Sequence, residues 1–358
     1  ARAGDGLTSM LALMRVRTAE ELPEVLASHH EPVLAFAYAD QAGAGGFQIA
    51  GWLPNRPLPT GLVPVQGRLR SFDWREPVPI ESLPGSLLSK PGRGWVMALD
   101  QPWPSRGGLD QTEWLWRPGD RALRLDAALD ARTAEGKLDL RAAGELLGDD
   151  VAERGSRVVA AIVGLARRTG RLPAEAEEIA TLLERWDGRM NAQSSGAAAY
   201  HLVIRHLIHA LLEEPFGHPL FDRYLETPHV HPQNAIERLM LRSAKLRRPG
   251  GWTDEERVSN AARNSLRQAW VSLNLRLGPT RERWSWGELH RIQFSALGAT
   301  LKERAEVPPK RRMPLGGSRQ TLAFAPHRPG LSFEVERASL YRVAMDLGAS
   351  DRLLSTLA

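Results

Sequence analysis

Apolar residues recur at three- and four-residue spacing from about Gly119 to Glu214. Leu123, Ala127 and Leu129 come first, then Val158, Val159, Ile162 and Leu165, then Leu202, Leu207 and Leu211. That period places them on single faces of successive helices. Asp139 and Asp149 are candidate helix caps, and Gly188 and the Pro215-Phe216-Gly217 turn are natural breaks. A different texture precedes this stretch. From Glu31 to Trp103, short apolar runs such as Pro32 to Tyr38 alternate with Gly- and Pro-rich punctuation at Gly43 to Gly46, Pro54 to Pro64 and Pro77 to Pro91, which predicts strands and loops. After Pro228 the helical pattern is broken by proline and glycine, and the alternation from Gln320 to Leu347 predicts strands again. Strands, then helices, then strands point to an α+β protein and not to alternating α/β.

Composition narrows the class. The chain has 358 residues, 42% hydrophobic and 25% charged, enough for one large core or two ordinary ones. Lys and Arg exceed Asp and Glu by five (47 − 42). The densest basic clusters, Arg242 to Arg248 and Lys310 to Arg312, lie beside proline or glycine and read as solvated loop faces, so no nucleic-acid partner is expected. There is no cysteine, which excludes disulfides, cysteine zinc sites and thiol catalysis from this stretch. No window reaches the ~18 apolar residues of a membrane span. A start at Ala1 without Met suggests a processed chain or a fragment.

Several residues invite chemistry and lose to simpler readings. His201, His206 and His209 fall on a helical stretch but lack a recognised zinc pattern, so they read as surface or packed histidines. His229 and His231 are flanked by prolines and read as a rigid loop. Gly316-Gly317-Ser318 has no lysine or helix start at phosphate-loop spacing. Ser194 and Ser195 precede an alanine-rich helix without a strained elbow. Trp186-Asp187-Gly188 reads as a buried anchor, a capping Asp and a positive-φ glycine.

A resemblance runs through ordered landmarks. Phe36-Ala-Tyr-Ala-Asp40, Gly46-Phe47, Gly51-Trp-Leu-Pro-Asn-Arg56, Leu62-Val-Pro-Val-Gln-Gly67 and Trp74 come first. Gly119-Asp-Arg-Ala-Leu-Arg-Leu125, Leu183-Glu-Arg-Trp-Asp-Gly188, Trp284-Ser-Trp-Gly-Glu-Leu-His290 and Pro314-Leu-Gly-Gly-Ser318 follow. Together, from about Glu31 to Leu347, they resemble the catalytic subunit of the penicillin acylase (penicillin amidase) family of N-terminal-nucleophile hydrolases.

The resemblance implies an αββα sandwich with a large helical insertion. Residues 1–118 would form part of the sandwich, 119–310 the mainly helical region, and 311–358 the return of the chain to the sandwich, with truncation expected at both ends. It implies hydrolysis of a linear amide to an acyl group and an amine, after autocatalytic processing exposes Ser, Thr or Cys as the first residue, whose α-amine acts as its own base. It also implies, as partners, an upstream half of the same precursor and a small acyl amide, and a periplasmic or secreted location.

Two departures qualify that expectation. Nothing before Glu31 resembles the opening of the catalytic subunit, and Ala1 has no nucleophilic side chain, so this chain alone is expected to be inactive. Where the family places its oxyanion-hole Asn, the chain reads Val96-Met-Ala-Leu-Asp-Gln-Pro-Trp103. Alignment on Pro102 puts Leu99 at that position, and alignment on Gly94 puts Asp100 there. Leucine offers no donor, and an ionised Asp would repel an oxyanion. Counting from Leu99, Asp110 lies 11 positions on and Arg121 lies 22 on, matching the family's calcium-ligating Asp and the Arg that orients the oxyanion Asn. The resemblance thus implies Arg121 as an orienting residue and Asp110 as a ligand of structural calcium. The replaced Asn keeps open an alternative, a catalytically inactive acylase-like scaffold or binding protein.

Overall fold

A computed structural model describes residues 6–56, 64–88, 94–99, 118–134, 136, 138–227, 230–243, 254–294, 311–339, 341–349 and 353–357. The chain divides into two compact units, one made of Ala1–Ala122, Asp126–Leu140 and Met345–Leu353, the other of Leu123–Leu125, Arg141–Ala344 and Leu354–Ala358.

The first unit opens with α1 (Leu7–Leu13) and α2 (Leu22–Leu26). Ser9 is buried on α1, where its hydroxyl meets Nδ1 of His29 at 2.8 Å, while Nε2 of His29 meets the carbonyl of Pro32 at 2.7 Å. Strand β1 (Leu34–Ala39) pairs antiparallel with β2 (Gly45–Ala50), in register from Leu34 opposite Ala50 to Ala39 opposite Gly45, and β3 (Gly85–Leu88) adds to the other edge of β2. The β1–β2 turn is set by Asp40, whose carboxylate accepts the amides of Ala19 and Ala44 at 2.9 Å each. The Ala19 amide, first among the bonds it accepts, lowers the Asp40 pKa.

The second unit is helical. Helix α3 (Asp120–Ala134) lies in the first unit except for Leu123–Leu125, and in the second, α4 (Leu140–Leu147) is followed by α5 (Gly155–Arg168), α6 (Ala174–Glu184), α7 (Ser195–Phe216), α8 (His218–Glu226), α9 (Pro232–Ser243) and α10 (Glu255–Leu277). Positions 258, 262, 266, 269 and 273 of α10 are all fully buried, the three- and four-residue period of a helix with one face in the core. They pack with Val158, Ile162 and Leu165 of α5, Ile179 and Leu183 of α6, and Leu207 of α7. Each such side chain contributes about 1.5–3 kcal/mol when removed from water. Helix α7 is buried at every position from Gly196 to Ile204, as expected of a helix at the centre of the unit. Local signals set its ends. The Ser194 hydroxyl accepts the Ala197 amide at 3.1 Å, and Gly217, at φ +70°, terminates it. Asp254 caps α10 in the same way through the Arg257 amide at 3.1 Å.

Short elements complete the chain: α11 (Trp286–Leu289), β4 (Arg291–Phe294) paired antiparallel with β5 (Arg311–Pro314), and β6 (Tyr341–Met345) beside β7 (Leu353–Leu357). The arrangement is α+β with a large helical block between strand-bearing segments, as the sequence pattern implies. Three local expectations fail. Leu123 is 58% exposed, because α3 turns Ala122, Ala128 and Leu129 inward instead. Asp149 caps no helix; it accepts the Arg124 guanidinium at 2.6 Å and the Val151 amide at 3.1 Å. Among the described residues of the span 320–347, only β6 is a strand. Before it, Thr321, Ala325, His327 and Phe333 are buried from an irregular backbone, so their alternation records burial and not extension.

Candidate functional site

Arg121 stands in the first turn of α3 and is half-buried; its Nε makes no hydrogen bond, although the side chain is otherwise engaged. Leu99 lies in a segment without regular structure and is half-buried. Trp95, four residues before Leu99, donates its indole N–H to Asp126 of α3 at 3.4 Å, which ties this segment to the helix that carries Arg121. Asp100 and Asp110 lie outside the described residues. Among the described residues, no group of three or more His, Asp or Glu is placed to hold a metal ion. Asp110 would bring a single carboxylate where calcium takes about six to eight oxygens, which is not by itself a calcium site.

The landmark residues of the strand-bearing unit converge. A Cβ on Gly46 would lie 2.4 Å from the Ser86 carbonyl and 2.7 Å from the Tyr38 hydroxyl, so only glycine fits between β1 and β3. Gly51, at φ +127°, reverses the chain so that Trp52 stacks on His30 at 4.1 Å. Arg56 lies over the ring of Trp74 at 5.4 Å, and the Arg75 amide binds the Asn55 carbonyl at 3.0 Å.

The later landmarks meet in a second place. The Trp186 indole donates to the Arg189 carbonyl at 2.8 Å, and the ring fills the space where a Cβ on Gly196 would sit, 2.4 Å from its Cδ1. Gly188 holds φ +79°, and Asp187 accepts the Arg189 amide at 3.0 Å. The turn-containing segment 190–194 then receives the other landmarks: Gly287 N–H binds the Ala192 carbonyl and Gly317 N–H the Met190 carbonyl, each at 2.7 Å. Trp286 is fully buried and donates to the Gly317 carbonyl at 3.0 Å.

Around Trp286 gather three buried histidines. His201 stacks on it at 4.1 Å and His290 at 4.4 Å, while His327 meets its edge at 5.4 Å. Burial holds His201 and His327 well below the usual histidine range, and holds His290 down to about 4 against the opposing pull of the Leu315 and Ala325 carbonyls. All three are therefore neutral packing groups at neutral pH. His206 meets the Ser272 hydroxyl at 2.9 Å and His209 the Gly330 carbonyl at 2.9 Å, so the histidines of α7 are spent on packing and local bonds. Sequence reasoning missed Glu237. It is fully buried and accepts from Tyr200 at 2.7 Å, Gln233 at 2.8 Å and Gln320 at 2.6 Å, with Arg154 at 3.6 Å. Its position on α9 carries no signal of this, since the donors come from elements 4 to 83 residues away.

The Penicillin amidase family model matches residues 2–358. Penicillin acylase 2 proenzyme from Pseudomonas sp. (strain SE83) is 28% identical over 328 residues, which is 87% of this chain and 38% of that protein. Acyl-homoserine lactone acylase QuiP from Pseudomonas fluorescens (strain Pf0-1) is 24% identical over 97% of this chain and 43% of that protein. This chain thus spans about two-fifths of the length of these relatives. A thermostable penicillin G acylase from Alcaligenes faecalis superposes with a TM-score of 0.61 at 17% identity, over 87% of this chain and 59% of that one, a likeness of fold. With several of its landmarks gathered in two clusters and the family model matched over residues 2–358, the chain belongs to the penicillin amidase family.

Proposed function

We propose that this chain is part of an acylase that hydrolyses a linear amide to a carboxylic acid and an amine, with the nucleophile on a segment outside these 358 residues. The family match over residues 2–358 is the observation that carries this reading. In it the helical unit is scaffold, and Arg121 at the start of α3 is a positioning residue. Its planar guanidinium suits the task of holding polar groups of the reacting centre in fixed geometry. The upstream part of the same precursor is the partner, a small acyl amide the substrate, and the compartment periplasmic or extracellular. Among the described residues, no helix is long and apolar enough to cross a membrane.

A second reading, a scaffold without catalysis, draws its support from Leu99. If Leu99 occupies the oxyanion position, the missing donor costs about 2.7–4 kcal/mol in the barrier, about 10² to 10³ in rate. Expression of the full reading frame, with intact-mass and N-terminal sequencing of the product, separates the two. Two subunits, the larger beginning with Ser, Thr or Cys and containing this chain, together with turnover of acyl amides that rises in Leu99→Asn, are expected for the acylase. A single uncleaved chain with no turnover would establish the scaffold.

A further inference from the structure

We propose that a cavity of about 830 Å³ beside α6 is a binding site for a small amphipathic monocarboxylate. The volume falls inside the range of about 300–1,000 Å³ typical of small-molecule sites. Its lining includes residues 174, 177, 178, 181 and 182 of α6, spaced by three and four, Arg185 at the end of that helix, and Arg281 and Trp284 from the segment after α10. The apolar surface comes from Leu172, Leu182 and Trp284, and the Trp284 indole N–H is already used by the Gly278 carbonyl at 2.8 Å. That ring, itself 2% exposed, lines the cavity and has no N–H left for a ligand.

Charge decides the ligand. Glu178 is held by Arg281 at 2.8 Å, and Glu177 by Arg167 at 2.7 Å, the latter also bound to Glu184 at 2.6 Å. Arg171 and Arg185 line the same cavity without a carboxylate partner among the described residues. The lining arginines and their ion-pair partners thus comprise Arg167, Arg171, Arg185 and Arg281 against Glu177, Glu178 and Glu184, an excess of one positive charge. The backbone that presents Arg171 is held in place, since Arg263 donates to the Thr169 hydroxyl and the Gly170 carbonyl at 3.2 Å each, and to the Arg171 carbonyl. A guanidinium fork matches a carboxylate, and the apolar wall matches a short hydrocarbon tail. The ligand class is set by this lining alone and does not depend on the acylase reading.

Titration calorimetry of the full 358-residue chain with octanoate and octanamide tests the site. Octanoate is expected to bind one to one, octanamide at least tenfold more weakly. Arg171→Gln and Arg185→Gln should each weaken octanoate about tenfold, about 1.4 kcal/mol. Thr181→Trp, which pushes a bulky ring from α6 into the cavity, should weaken octanoate binding at least tenfold with the far-ultraviolet circular dichroism unchanged. Should that variant misfold, the two arginine variants decide the question by themselves, as both side chains are exposed. No heat of binding at millimolar octanoate, equal affinity for octanamide, or an affinity unchanged in the Arg171→Gln/Arg185→Gln double variant would each overturn the proposal.

Discussion

The helical unit and the strand-bearing unit bury their residues by different means. In the former, α7 is inaccessible from Gly196 to Ile204, and even a carboxylate, Glu237, sits inside with its oxygens satisfied by Tyr200, Gln233 and Gln320. In the latter, Leu34 of β1 is 36% exposed and Trp74 68% exposed. There the chain is fixed by discrete pins: Ser9 on His29, Asp40 on two amides, Trp52 on His30, Arg56 over Trp74. A continuous interior spreads stability over many contacts, so removing its centre is costly. A pinned loop region loses one local tie at a time. The residues that the family resemblance ties to chemistry, Leu99 and Arg121, belong to the pinned unit.

The comparison is most sharply tested at Trp286. Truncating it to Ala removes a fully buried ring, two histidine stacks and the bond to Gly317, and is expected to cost about 3–5 kcal/mol of stability in denaturant unfolding followed by circular dichroism. A loss below about 1 kcal/mol would show that the helical interior is not organised around this residue.

Acid should strike the same place. In the unfolded chain a histidine titrates near 6.5. In the folded one, burial holds His206 and His290 down to about 4, with Arg205, His209 and Arg276 adding to the effect at His206. Between those values the unfolded state binds protons that the folded state refuses. Stability is therefore full above about pH 6.5 and falls as pH drops toward about 4, by up to about 1.4 kcal/mol per pH unit for each such histidine. Unfolding midpoints measured from pH 7 to 4 check this, and a flat profile would contradict the neutral, buried state.

Ser9→Ala should be milder. It leaves Nδ1 of the buried His29 without its partner, at a cost of about 1–2 kcal/mol. Calorimetry should show the first unit melting earlier with the helical transition unmoved, and a shift shared equally by both would break the distinction between pinned and packed units. The smallest effect is expected for Leu123→Ser. Helical period alone would make that change a core defect, but at 58% exposure it should stay within about 0.5 kcal/mol.

How far the sequence reaches follows from the range of each signal. Val158, Ile162 and Leu165 announce α5 because burial of one helix face repeats every three or four residues along the chain. Gly188 and Gly217 announce turns because a positive φ excludes most other side chains, and Ser194 takes the position of a cap before a helix. Leu123 shows the limit: an apolar residue in phase with its neighbours can still be 58% exposed, because period alone does not say which face of the helix is covered. His327 and Phe333 show another, since burial from an irregular backbone mimics the alternation of a strand.

By itself the sequence determined the helical block and its breaks, the strand-and-loop character of the first part and, through ordered landmarks, the family. Only the tertiary structure decided that Trp286 is clasped by His201 and His290, that Glu237 is satisfied by Tyr200 and Gln320, and that Arg171 and Arg185 share a cavity with Trp284. Periodicity, caps and glycine turns are properties of neighbouring residues and so are written locally. Which side chains meet across tens of residues depends on how all the helices pack at once, and no single stretch of the chain carries that information.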